Sequence, residues 1–275
     1  MRQAVRRAGV MIAVVAAAAG VVPLLGAAPA VAAAPPPAPC VGACWKPALN
    51  TSWQIQLQGK LKTTVNARLY DIDLFDQPAA TVATLHAAGR KVACYFSAGS
   101  FEDWRPDAAK FPAVVKGNGN GWPGERWLDV RRLDILMPIM DARLDLCKQK
   151  GFDSADADNV DGYTNTTGFA LTGADQLAYN ASIANAAHAR GLTIALKNDL
   201  DQIPQLVPYF DWALNEQCFA YSECGLLTPF TAAGKAVMNI EYKLSPSKFC
   251  PSMNARNFNS LKKSMSLKAG RKACR

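Results

Sequence analysis

Histidine is almost absent from this chain, with two among 275 residues. His86 and His188 stand in matching contexts, Leu-His-Ala-Ala-Gly and Ala-His-Ala-Arg-Gly, that read as the last turn of a helix before a capping glycine. No histidine is then left for a Ser-His-Asp triad or a histidine-rich metal site, so chemistry falls to carboxylates, lysine, tyrosine or cysteine. None of the eight cysteines stands in Cys-x-x-Cys spacing, which argues against a zinc ribbon or a thioredoxin-like site. No Gly-x-Gly-x-x-Gly follows the first strand and no phosphate loop is present, which argues against nucleotide binding. Acidic residues are missing altogether from 243–275, where nine lysines and arginines lie.

The formal net charge of +8 is therefore unevenly placed. Arg2, Arg6 and Arg7 open the chain, and the segment from Ala8 to Ala34 has no polar or charged residue. It closes on Ala30-Val31-Ala32 and Ala32-Ala33-Ala34, both small-x-small. This is the pattern of a signal peptide over 1–34, and the chain is expected to be secreted after cleavage. No second long apolar run follows, so the mature chain is expected to be free of the membrane. The proline-rich start of 35–44 reads as a stiff linker. The body, 35–242, holds 18 basic against 22 acidic residues, and 243–275 reads as a basic tail beyond it, dispensable for turnover. Nucleic-acid binding is not expected of a mildly acidic body. Nothing in the composition calls for an oligomer, and a monomer is expected.

In an oxidising compartment the even cysteine count implies disulfides, although eight cysteines allow about 105 pairings. Cys218 with Cys224 would staple one loop, and Cys250 with Cys274 would tie the tail to itself. Cys94 in an apolar strand and Cys147 in a helix make a further pair, which leaves Cys40 with Cys44.

Apolar or alternating segments suited to strands recur at 53–58, 67–73, 91–97, 126–130, 152–158, 192–197, 211–216 and 235–241. Helical stretches lie at 78–88, 132–150, 172–190 and 201–209, and Gly89, Gly151, Gly191 and Gly234 stand just before strands. Eight strands alternating with helices imply a parallel sheet closed into a (β/α)8 barrel of one domain, 45–242. These strands finish in polar residues: Gln58, Asp73, Ser97, Asp158, Asn198, Glu216 and Glu241. Strand ends of a barrel converge on one mouth, where active sites are built. Several carboxylates at one mouth repel one another unless chemistry or a cationic ligand uses them.

Two stretches carry most of the signal. In Ala155-Asp156-Ala157-Asp158-Asn159-Val160-Asp161-Gly162-Tyr163, strand periodicity puts Asp156 and Asp158 on one face with Asp158 at the strand end. The run is rich in oxygen, but no glutamate fits the twelfth position of a calcium loop, and no metal is expected. Asn215-Glu216-Gln217-Cys218 likewise ends a strand on a carboxylate. Two carboxyl groups flanking a glycosidic bond are the minimum equipment of most glycoside hydrolases.

These stretches, together with Tyr70-Asp71-Ile72-Asp73-Leu74-Phe75-Asp76, Val92-Ala93-Cys94-Tyr95-Phe96-Ser97-Ala98-Gly99-Ser100, Leu196-Lys197-Asn198 and Ile240-Glu241-Tyr242, resemble glycoside hydrolase family 114, the endo-α-1,4-polygalactosaminidases. The resemblance runs from about Trp53 to Tyr242. It implies a (β/α)8 barrel that cuts galactosamine-containing polysaccharide with retention and without a cofactor. It places the nucleophile on Asp158 and the acid/base on Glu216. Where the family usually has Glu-Pro before the nucleophile, this chain has Asp156-Ala157. The expected sugar contacts are Asp73, Tyr95, Asp156, Asp161, Tyr163, Lys197, Asn198 and Glu241, with Trp122 and Tyr242 as further stacking candidates. Unacetylated galactosamine is a cation near neutral pH, and an acidic mouth would attract such a polymer. A hydrolase of another α-linked polysaccharide and a non-catalytic sugar-binding barrel are the rival readings.

Overall fold

Strands covered on both faces must be apolar or fully satisfied along their whole length, and this requirement selects the barrel strands. The computed structural model describes residues 33–275, so nearly all of the expected signal peptide lies outside the described residues. In chain order the elements are β1 (Trp53–Gln56), β2 (Leu69–Asp73), α1 (Ala79–Ala87) and β3 (Lys91–Ser97), followed by β4 (Ser100–Glu102), β5 (Lys116–Gly119) and β6 (Glu125–Leu128). Then come α2 (Leu133–Lys150), β7 (Ser154–Asp158), α3 (Gly173–Ala189), β8 (Thr193–Lys197), α4 (Ile203–Leu206) and β9 (Trp212–Glu216). The chain finishes with α5 (Thr228–Ala232), β10 (Val237–Glu241), α6 (Pro246–Ala255), β11 (Phe258–Lys262) and β12 (Lys272–Ala273).

Eight of these strands pair in parallel in the order β1-β2-β3-β7-β8-β9-β10-β11, with β12 antiparallel on the end. They curl into a (β/α)8 barrel. The gap between β1 and β11 is bridged by side chains and the C-terminal segment. Trp53 Nε1 donates to the Asn259 carbonyl at 2.7 Å, Lys263 Nζ to the Ile55 carbonyl at 2.7 Å, and Arg271 to the Trp53 carbonyl at 2.8 Å.

Three expectations need correction. The segment 126–130 is not a barrel strand. It falls in β6 of a separate three-stranded antiparallel sheet, β4-β6-β5, inserted after β3. Glu125 and Arg126 at its start stay partly or fully exposed, which a strand covered on both faces cannot allow. The eighth barrel strand is instead β11, whose first four residues are buried, so 243–275 is part of the barrel and not an appendage. Nor is 35–44 a free linker. Ala38 N donates to Asn185, Tyr209 donates to the Pro35 carbonyl, and Val41 N donates to the His188 carbonyl.

Helix ends follow the chain's chemistry. Thr172 and Asp175 form a reciprocal capping box at the start of α3. Gly151 closes α2 at φ 89°, a left-handed turn that glycine adopts without a side-chain clash. His86 and His188 occupy late helix positions and pair with Asp153 and Asp211 at 2.7 and 2.8 Å, next to the N-terminal ends of β7 and β9. Both are thus at the face opposite the mouth. Disulfides join Cys40–Cys44, Cys94–Cys147, Cys218–Cys224 and Cys250–Cys274.

Phe249, Met253, Phe258 and Leu261 of the C-terminal segment are all buried in the core. At roughly 1.5–3 kcal/mol for each buried apolar side chain, their loss matches the ~5–15 kcal/mol that holds a whole domain together. Truncation after Tyr242 should therefore yield unfolded or aggregated protein with the β10 edge bare. Gel filtration and circular dichroism check this, and a folded monomer would contradict it.

Candidate active site

The strand order β7-β8-β9 brings three chain-distant side chains together at the mouth. Lys197, at the end of β8, donates from Nζ to Asp158 Oδ1 of β7 at 2.9 Å and lies 3.3 Å from Glu216 Oε2 of β9. Its side chain is 4% exposed, against 18% for Asp158 and 27% for Glu216. Asp158 also accepts from Tyr95 Oη at 2.9 Å and from the Asn159 backbone N–H at 2.8 Å. Glu216 accepts from Asn198 Nδ2 at 3.2 Å and from the Tyr242 hydroxyl.

Burial alone would raise the Asp158 carboxyl. The Lys197 ammonium and the donated hydrogen bonds outweigh it and hold Asp158 below the usual carboxylate range. Burial likewise disfavours the Lys197 ammonium, but Asp158 and Glu216 keep it well above its ordinary value. The centre is thus an ionised aspartate beside a fixed ammonium, with a second carboxyl on the ammonium's other side.

The backbone at the mouth is strained. Asn159, Asn198, Asp199 and Gln217, which follow the ends of β7, β8 and β9, all have positive φ, between 45° and 63°. Gly99 packs so closely on this turn that a Cβ there would lie 1.7 Å from the Asn159 carbonyl oxygen. Its N–H and that of Ala98 both donate to the Asp158 carbonyl, at 3.1 and 2.8 Å. Glycine at 99 is what lets the β3 loop clamp the Asp158 backbone.

A cleft of about 560 Å³ opens over the centre and is lined by seven carboxylates and two cations, Arg105 and Lys197. A second hollow of about 450 Å³ shares Asp161, Asn198 and Glu216 with it and adds Tyr163, Asp199, Asp201 and Glu223. Of the expected sugar contacts, Tyr95, Asp161, Lys197 and Asn198 line the main cleft, and Tyr163 lines the neighbouring hollow. Trp122 and Tyr242 are also on the main cleft wall.

Three expected contacts are structural instead. Asp73 reaches the cleft wall, but its carboxylate is held by the two terminal guanidinium nitrogens of Arg105, Nη1 and Nη2, at 3.0 and 2.7 Å, and accepts from the Phe75 and Asp76 N–H groups. Glu241 is fully buried and accepts from the Phe219 N–H at 2.9 Å, fixing the loop that Cys218–Cys224 closes. Asp156 is fully buried one layer beneath Asp158, within hydrogen-bonding reach of Asp71 of β2, and neither carboxyl has another partner. Burial raises both; the Asp156 charge raises Asp71 further, while the hydrogen bond from Asp71 lowers Asp156, so the pair shares a proton that rests mainly on Asp71.

Sequence reasoning missed the other wall. Glu102, Trp104, Arg105, Glu125 and Trp127 come from the inserted sheet and its loops, and Met265 to Leu267 come from the C-terminal segment. Trp104 and Trp122 are 52% and 53% exposed, aromatic faces open to a ligand. Only the acidic and aromatic density of 101–127 could have flagged the inserted wall. Among the described residues no cluster of His, Cys, Asp and Glu has metal-binding geometry.

Comparison with known proteins bears on this geometry. The sequence model of glycoside-hydrolase family GH114 matches residues 34–275. The crystal structure of Aspergillus fumigatus Ega3 in complex with galactosamine superposes with a TM-score of 0.81 at 42% identity, covering 86% of this chain and 99% of that one. The glycoside hydrolase domain of Pseudomonas aeruginosa PelA superposes with a TM-score of 0.64 at 14% identity, covering 81% of this chain and 98% of that one, a likeness of fold. No curated protein sequence matches the chain.

Burial of acids makes a stability prediction. It pushes Asp161 up to about 6, Asp156 to about 7 and Asp199 to about 8, each helped by neighbouring carboxylates. Between an unfolded value of about 4 and these values the folded chain binds more protons than the unfolded one, so stability falls as pH rises. Tm measured by calorimetry should be higher near pH 5 than near pH 8. A Tm that rose across that interval would contradict the assignment.

Proposed function

The chain belongs to glycoside-hydrolase family GH114, and from that premise we propose that it is a secreted, retaining endo-hydrolase of α-1,4-linked, galactosamine-rich polysaccharide. The observation that carries the reading is the single Lys197 ammonium bonded to Asp158 and in contact with Glu216. One bridging nitrogen keeps the nearest oxygens of the two carboxyls within about 6 Å, below the ~6.5–9.5 Å that an inverting pair needs and near the ~5–5.5 Å of a retaining pair.

In this reading Asp158 attacks the anomeric carbon as Glu216 gives its proton to the departing glycosidic oxygen. The sugar is left as an ester of Asp158, and the rest of the chain leaves as an alcohol. Glu216 then takes a proton from water, whose oxygen replaces Asp158 at the anomeric carbon and restores the starting state. Lys197 suits both halves. Before attack its charge holds Asp158 ionised. Once Asp158 is esterified, the same charge serves Glu216 alone and favours the carboxylate that must act as base.

Substrate class follows from the cleft. Seven carboxylates against two cations attract a polymer of protonated amines, and Ega3, at 42% identity, was solved with galactosamine bound. Trp104 and Trp122 offer faces for sugar rings. Hollows on both sides of Glu216 admit the interior of a chain, as endo-cleavage requires. Export is supported by the Arg2-Arg6-Arg7 start, the alanine-rich segment after it and four disulfides.

Assays on deacetylated and acetylated galactosaminans test this reading. Asp158→Asn and Glu216→Gln should each lower kcat by at least about 10³-fold with an unchanged circular dichroism spectrum. Azide should restore turnover to Asp158→Gly, giving a glycosyl azide of inverted configuration. Lys197→Met removes the charge that keeps Asp158 low, so the acid limb of the kcat/KM profile should move to higher pH. Near wild-type turnover of Asp158→Ala would contradict the assignment.

A further inference from the structure

The cations of 243–275 are neither scattered nor neutralised. Lys243, Lys262, Lys263, Arg271 and Lys272 line a groove of about 730 Å³ with no carboxylate on its walls. Among the described residues none of the nine cations of this segment joins an ion pair, whereas Arg105, Arg131, Arg132, Arg143 and Arg190 elsewhere all do. Three of the groove's cations are held by carbonyl oxygens. Lys262 donates to the Tyr242 carbonyl, Lys263 to those of Ile55 and Lys268 at 2.7 Å each, and Arg271 to those of Trp53 and Asn66 at 2.8 Å each. Carbonyls orient these groups without cancelling their charge. Burial and the neighbouring Arg271 charge hold the Lys263 ammonium down at about 8. Like charges gathered without counter-charge are a cost that a bound anion would offset.

We propose that this groove is a binding site for an acidic polysaccharide. A polyanion is favoured over a single small anion because the charges of Lys243, Lys262, Arg271 and Lys272, lying along an open groove above the buried Lys263, match a chain of repeated negative groups. A polysaccharide is favoured over a nucleic acid for two reasons. Four of the five cations are lysines, point charges without the flat guanidinium fork that reads phosphates and base edges. No exposed aromatic ring lines the groove for bases to stack on, since Tyr242, its one aromatic residue, is 8% exposed. Tyr242 also separates this groove from the cleft and lines both. A cationic polymer outside the cell is neutralised by polyanions. An acidic cleft on one side of Tyr242 and a basic groove on the other would grip the two components of such a complex. This last step rests on the substrate proposed above, but binding in the groove does not.

The test is therefore a binding measurement that needs no turnover. Titration calorimetry of the mature protein with polygalacturonate at about 20 mM salt should show binding that weakens steeply toward about 300 mM, where charges more than a few ångströms apart are screened. The double variant Lys243→Glu/Lys272→Glu should bind at least about tenfold more weakly, and Lys243→Gln/Lys272→Gln by a smaller factor. Both side chains are exposed and free of ion pairs, and Tm verifies folding. Lys110→Glu/Lys148→Glu, with the same change in net charge at exposed positions elsewhere, should bind as wild type. Absence of binding at low salt, or equal losses in the two glutamate doubles, would overturn the site. Tighter binding of single-stranded DNA than of polygalacturonate would overturn the choice of ligand.

Discussion

A cation buried between two acids is the constraint on which the rest of the molecule turns. Lys197 is all but removed from water, and an isolated buried ammonium would not stay charged. Asp158 on one side and Glu216 on the other make it tolerable. Conversely, whenever both carboxyls are ionised they repel, by ~4 kcal/mol for unit charges 4 Å apart at the effective dielectric of a protein site, and the cation between them offsets this. The alternation of charge demands that β8 lie between β7 and β9, and the sheet order supplies it. Topology and chemistry are here one requirement. The left-handed residues after each of these strands and the close approach of Gly99 are the local strain that holds the three ends in register.

Charge is organised in layers and in sides. Beneath the ionised Asp158 sits the Asp71–Asp156 pair, whose shared proton keeps it from adding two full charges to the barrel interior. Above it the cleft is acidic, with Asp73 and Glu102 drawn back onto Arg105. Across Tyr242 the surface turns basic. A net charge of +8 summarises none of this, since the acids line the mouth while the surplus cations lie in an N-terminal segment and in the last 33 residues.

The strand-end pattern was readable because period-two alternation and a terminal polar residue are local properties. Asp158, Lys197 and Glu216 could thus be placed at one mouth without coordinates, and the two late-helix histidines could be set aside. What failed to show depended on depth or on partners. Asp156 and Asp158 share a strand face, but two residues of rise separate a buried layer from an open one, and periodicity carries no depth. Asp73 and Glu241 looked like free mouth acids, whereas Arg105 and the Phe219 N–H, contributed by distant loops, claim them. The eighth strand escaped because Phe258–Lys262 buries the polar Asn259 and Ser260 along with Phe258 and Leu261 and runs into two lysines, Lys262 and Lys263, so it shows little apolar pattern. Segment 126–130 took its place because a half-exposed antiparallel strand shows the same local alternation.

The sharpest consequence of the Lys197 bridge is stereochemical. The double displacement proposed above, with Asp158 attacking the anomeric carbon in place of water, requires that the first product keep the configuration of the bond that was cut. Proton NMR of a digest of an α-linked galactosamine oligomer, recorded in the first minutes before mutarotation, reads this directly. An α-anomeric signal that appears first and decays toward equilibrium is the predicted result. A β-anomer appearing first would show single-displacement inversion and contradict the account.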